Sequence, residues 1–143
     1  MSHVDDSGFD LVFSFDSLVQ AEIDVLKSYV PQIIQKLNND GVAFIHHSNV
    51  GAFGTALSQT FGRGASVSRE NVEGLVVGSG GRTVIQEIIN WHTSAPVDCL
   101  TLFAKGESGS AAPVHLFNLH FMDEAAAIKN FQAHYSRVGK SKL

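Results

Sequence analysis

The stretch "GVAFIHHSN", Gly41–Asn49, governs how the rest of the chain is read. Val42, Ala43, Phe44 and Ile45 form an apolar run without period-two alternation, the pattern of a strand covered on both faces, as in a parallel sheet flanked by helices. His46, His47, Ser48 and Asn49 follow at its carboxyl end. Open α/β sheets bind their ligands at that end, so one short segment predicts both an architecture and the place of a site.

Upstream, "FDLVFSF" (Phe9–Phe15) predicts a second strand. Between the two, Leu18, Val19, Ile23, Leu26, Val30, Ile33, Ile34 and Leu37 recur at three and four, which predicts an amphipathic helix. Asp16 stands where that helix would be capped, Pro31 would kink or divide it, and Gly41 would stop it in a left-handed conformation. Downstream, a glycine-rich loop leads to a short helix in "SVSRENVEGLV" with Ser68 as its cap. After a turn at "GSGG" come two strands, "RTVIQEIINWH" and "VDCLTLFAK", separated by "TSAP". A break at "GESGSAAP", an extended piece "VHLFNLHF", a helix capped by Asp123 and a frayed basic end complete the chain.

Composition narrows the functional classes. The 143 residues suit one domain, and 44% hydrophobic with 17% charged residues describes a folded globular chain. A net charge of −4 offers no basic surface for nucleic acid, so none is expected as a partner. Apolar runs are too short for a membrane span and the start does not resemble a leader peptide, which predicts a cytoplasmic protein with no membrane partner. Cys99, the single cysteine, lies in the apolar run "DCLTLF" and reads as a buried structural thiol. His46 and His47 are strand neighbours that point to opposite faces, and no other histidine spacing suggests a metal site; none is predicted.

The order strand, helix, strand, helix, strand, strand describes the second half of a doubly wound sheet closing in an antiparallel hairpin. Here the residues carry a resemblance. "FDLVFSFDSLVQAEIDVLKSYVPQIIQKLNNDGVAFIHHSN", "SVSRENVEGLV" and "QEIINWHTSAPVDCLTLFAK", together spanning roughly residues 9–105, resemble the C-terminal half of class I S-adenosylmethionine-dependent methyltransferases, closest to bacterial domains of glycan and natural-product gene clusters. The resemblance implies an α/β fold: the second half of a Rossmann-like methyltransferase sheet, mostly parallel with a C-terminal antiparallel hairpin, flanked by helices. Residues 1–105 would be a partial methyltransferase-like domain lacking its cofactor-binding N-terminal half, and residues 106–143 an extension outside the resemblance. It implies S-adenosylmethionine as cofactor, contacted near Phe15, Asp16 and Ser17. The glycine-rich loop and the acidic ribose-binding residue of the family are absent, so weak or no binding by this chain alone is expected. Related sequences also suggest a histidine where Gln20 stands.

Methyl transfer to a hydroxyl needs aligned reactants and an acceptor for the hydroxyl proton. Adjacent strand ends would bring His47, as general base, to Asp16, as its orienting partner. Asp16 as a helix cap is the competing reading. His46, Asn49 and Trp91 would line the acceptor site, with Trp91 either a pocket wall or a closure of the core. The acceptor would be a sugar or other small-molecule hydroxyl. A second reading stands beside this one, a non-catalytic methyltransferase-like module. Its hydrophobic strand "FDLVFSF", lacking a neighbour on one side, would pair with a missing N-terminal half or with another copy to form a homo-oligomer.

Overall fold

The computed structural model describes residues 8–53, 62–106 and 111–137. Five strands form one sheet: β1 (Phe9–Leu18), β2 (Leu37–Ser48), β3 (Gly81–Ile89), β4 (Asp98–Lys105) and β5 (Val114–Asn118). Among the described residues three α-helices accompany them, α1 (Ile23–Lys36), α2 (Arg69–Gly78) and α3 (Phe121–Arg137), with a 3₁₀ turn at Val50–Ala52. The strand order is β1-β2-β4-β3-β5. β1 is parallel to β2 and β3 to β5, whereas β4 is antiparallel to both of its neighbours. Four strands therefore run one way and β4 runs against them, so the sheet is mixed, with two of its four pairings parallel, and it contains the antiparallel β3–β4 hairpin that the sequence predicts. The α/β class holds. Among the described residues no helix is long and apolar enough to cross a membrane. The centre of the glycine-rich loop (54–61), the "ESGS" break (107–110) and the basic end from 138 onward lie outside the described residues.

Alternation along the strands explains how the core is built. Ala43 and Ile45 of β2 and Phe103 of β4 point to the face carrying α1 and α2, where they join Leu26, Val30, Ile33 and Ile34 of α1 and Val72 and Val76 of α2 in one buried cluster. Pro31 lies on the exposed side of α1, and the helix runs unbroken through it rather than dividing. Ser68 caps α2 as expected, in a reciprocal box: its Oγ accepts from the Asn71 amide and its own amide donates to Asn71 Oδ1 at 2.9 Å.

Three local expectations are corrected. α1 begins at Ile23, because β1 continues through Leu18, so Asp16 belongs to a strand and does not cap a helix. Gly41 lies inside β2, where its glycine is required by proximity: a Cβ there would stand 2.7 Å from the Phe9 carbonyl oxygen of β1. α3 begins two residues before Asp123, which sits within its first turn.

The fourth correction concerns the open face. β2 is not covered on both sides by helices: Leu11, Phe13 and Phe15 of β1 share the second face with Phe44, and the three phenylalanines stack on one another, Phe13 on Phe44 at 5.2 Å between ring centres. The apolar run in β2 reflects helices on one face and an aromatic ladder on the other. β1 is an edge strand, and "VHLFN" pairs with β3 at the far edge rather than beside β1.

Candidate functional site

Because β1, β2, β3 and β5 run in one direction, their carboxyl ends and the start of β4 meet at one border of the sheet. A cavity of about 360 Å³ opens there, lined by Asp16, Ser17, Val19, Gln20, Arg63, Trp91 and His92. Among the described residues only two non-glycine residues adopt left-handed backbone, Asp16 at φ 56° and His92 at φ 54°, and both line this cavity. Such conformations are unfavourable for residues with a Cβ and persist where the surroundings enforce them, a condition concentrated at binding and catalytic sites.

Beneath Asp16 the enforcing structure is a buried polar chain. The pairing of β1 with β2 slips between Ser14 and Leu18, and this irregularity turns the Asp16 amide toward the His46 ring. The Asp16 N–H donates to His46 Nδ1 at 3.3 Å. With Nδ1 accepting, the ring proton resides on Nε2, which donates to Asp98 Oδ2 at 3.1 Å. Asp98 in turn receives a two-pronged contact from Arg63, Nε to Oδ1 at 2.7 Å and Nη2 to Oδ2 at 2.9 Å. His46 and Asp98 are fully buried, so each link is made in a medium where an unmet polar group is costly. Phe15 and Trp91 close over the imidazole at 4.8 and 5.3 Å between ring centres.

Arg63 is held in place by its loop. The Gly64 amide donates to the Val19 carbonyl at 3.0 Å, and Ser48 Oγ donates to the Gly64 carbonyl at 2.8 Å. A Cβ on Gly64 would collide with the Ala21 carbonyl, so only glycine permits this approach. Glu22 then accepts from the Ala65 and Ser66 amides and from the Ser66 hydroxyl. These bonds, the hydroxyl's foremost, hold the Glu22 carboxyl below the usual carboxylate range.

His47 lies on the opposite face from His46, as strand alternation requires, and it is buried on the helix side of the sheet. Its Nδ1–H donates to the Ser48 carbonyl at 2.7 Å and its Nε2 accepts from the Thr101 hydroxyl at 2.7 Å. Burial pulls its pKa down to about 4, so the ring is neutral near pH 7. The structure thus joins Asp16 to His46 and not to His47. The predicted acceptor-site residues part company in the same way. Trp91 walls the cavity and His46 lies behind it, whereas Asn49 braces the chain, its Nδ2 donating to the Pro96 carbonyl at 3.2 Å and its Oδ1 accepting from the Arg69 amide at 2.9 Å. Of the three residues expected at a cofactor, Asp16 and Ser17 line the cavity and Phe15 packs beside it.

Sequence reasoning missed Arg63, Asp98 and His92. Asp98 carried a usable signal: a carboxylate opening the apolar run "DCLTLF" must be buried with a partner. Cys99 beside it is a buried thiol pushed up to about 12 by desolvation, as its surroundings predict. Among the described residues no three His, Cys, Asp or Glu side chains converge as metal ligands would. The cavity offers an exposed carboxylate, a hydroxyl, a carboxamide, an imidazole and an indole wall, groups suited to a small hydroxyl-bearing molecule. No protein-family model matches the chain, and no match is found among curated proteins.

Proposed function

We propose that this chain is the acceptor-binding half of an S-adenosylmethionine-dependent methyltransferase sheet, acting on a sugar or other small-molecule hydroxyl. The observation that carries this reading is the strand order β1-β2-β4-β3 with β4 reversed. It agrees with the resemblance in setting "DLVFSF" beside "VAFIHH" and in closing with an antiparallel β3–β4 hairpin. The cavity at the carboxyl ends of β1, β2 and β3 lies on the side where a doubly wound sheet binds its ligands.

The described residues do not by themselves fit the cofactor. They hold no glycine-rich strand-to-helix turn for its methionine part, and the Arg63 fork is engaged by Asp98. A cofactor held by another segment would supply an electrophilic methyl group. The chain's own contribution is to seat the acceptor against Trp91 and to receive the acceptor's proton. Asp16 is the base in this reading: it is the only carboxylate among the described residues lining the cavity. His46 is a positioning residue that fixes the Asp16 backbone through its ring nitrogen. The exposed edge of β1 provides a docking line for the cofactor-binding strands.

The test joins this chain to the segment encoded ahead of Met1 and titrates S-adenosylmethionine calorimetrically. The expected result is micromolar binding by the extended protein and binding at least 100-fold weaker by residues 1–143. No glycine-rich strand–turn–helix in that segment, or no binding by the extended protein, overturns the proposal.

A further inference from the structure

The open face of the sheet and helix α3 are two unpartnered apolar surfaces in one chain. On the face, Leu11 is 57% and Phe13 66% exposed, and Val114 and Leu116 of β5 are also exposed. Between them a groove of about 230 Å³ crosses the sheet, lined by Phe44, Ile85, Glu87, Leu100, Leu102 and Leu116. That volume accommodates one aromatic side chain. On α3, Ala127, Ile128 and Phe131 line an apolar strip, with Phe131 83% exposed.

The helix is tied to the sheet at its first turn. Asn118, the last residue of β5, donates through Nδ2 both to Glu87 of β3 at 2.9 Å and to Glu124 of α3 at 3.0 Å, and its Oδ1 accepts from the His120 amide at 3.0 Å. Phe121 rests on Trp91 at 5.9 Å between ring centres. These contacts root α3 at the border of the sheet, and its strip stays exposed.

We infer that α3 of one copy lies across the open face of a second, in a reciprocal two-fold dimer with Phe131 seated in the partner's groove. The 17-residue helix is about 25 Å long and the five-strand sheet about 19 Å wide, so the one spans the other. Taking 150–250 Å² for a large side chain, the exposed apolar area of face and helix together comes to roughly 700 Å² per copy. Two copies in reciprocal contact would bury roughly 1,400 Å², within the range of stable specific interfaces. A two-fold arrangement satisfies both surfaces of both chains and closes, leaving neither of the two to propagate the assembly.

The inference does not rest on methyl transfer, and its test needs no cofactor. Light scattering and sedimentation velocity are run on the full chain from 1 to 100 µM. The expected result is a dimer in the micromolar range. Ile128→Asp with Phe131→Asp, both on exposed helix positions, should raise the dissociation constant at least 100-fold while leaving the circular dichroism unchanged. Leu116→Lys, in the groove, should weaken the dimer by at least 10-fold. A wild-type chain that stays monomeric at 100 µM overturns the inference. So does a dimer that survives the α3 double substitution, since association would then run through another surface such as the β1 edge.

Discussion

The backbone amide of Asp16 and the Nδ1 of His46 meet at 3.3 Å across the β1–β2 pairing, and this one bond ties a strained surface residue to a fully buried ring. The left-handed backbone of Asp16 is thereby held by the sheet's interior rather than by anything in the cavity. His46→Phe preserves most of the volume but removes both ring nitrogens, leaving the Asp16 amide without its acceptor and Asp98 Oδ2 with Arg63 as its remaining donor. Stability should fall by about 2–4 kcal/mol, measured by urea unfolding. A loss below 0.5 kcal/mol would show that the chain of hydrogen bonds is not what secures Asp16.

Asp98 answers to two partners at once. Asp98→Asn abolishes the charge opposite Arg63 and should destabilise the protein by about 3–5 kcal/mol, as expected when one member of a buried ion pair is removed. Adding Arg63→Met to it should return part of that loss, because the stranded guanidinium goes with it. A double-mutant cycle read by chemical denaturation measures the coupling.

Acid should act through His47. In the folded protein its ring takes up a proton only near pH 4, against 6.5 for an unhindered histidine, because burial disfavours the charge. Between those values the unfolded chain binds more protons, so stability falls as pH is lowered from 6.5 to 4 and is fully retained above 6.5. The full contribution is about 3 kcal/mol. His47→Gln should flatten the slope of unfolding free energy between pH 7 and 4.5, whatever its effect at pH 7.

Gly41→Ala would push a methyl group to 2.7 Å from the Phe9 carbonyl oxygen and about as close to the Asn38 backbone, so the backbone must shift. The expected loss is about 1–3 kcal/mol, with the first pairing of β1 to β2 loosened. Faster hydrogen exchange at Leu11 and Val12 than at Ile45 would localise the damage.

Much of the architecture was legible because it rests on local pattern. The three-and-four spacing through Leu26, Val30, Ile33 and Ile34 marks a helix whatever it packs against, and Ser68 with Glu70 in the first turn announces a helix start by local signals alone. The direction of β4 followed from the short "TSAP" connection, which can only join antiparallel neighbours of this length. The open face was not legible. The apolar run Val42–Ile45 looks the same whether helices cover both sides or whether Phe13 and Phe15 from a neighbouring strand cover one. The site was half legible for a similar reason. That His46 and His47 part to opposite faces follows from the strand, but which of them meets Asp16 depends on a slip in pairing near Ser14 that no residue spacing announces. Arg63 and Asp98 lie 35 residues apart and come together only once the loop is pinned by Gly64.

The placement of β4 between β2 and β3 has a consequence for the chain as it is made. β1, α1 and β2 leave the ribosome as a contiguous unit, yet β2's second neighbour arrives only later: His46 waits 52 residues for Asp98. At about 5–20 residues per second that interval lasts roughly 3–10 s. Throughout it, the apolar run Val42–Ile45 has one side unpaired and His46 lacks its carboxylate. The nascent chain is therefore most exposed to chaperone capture, or to mispairing with a neighbouring ribosome's product, after β2 has emerged and before the β3–β4 hairpin closes.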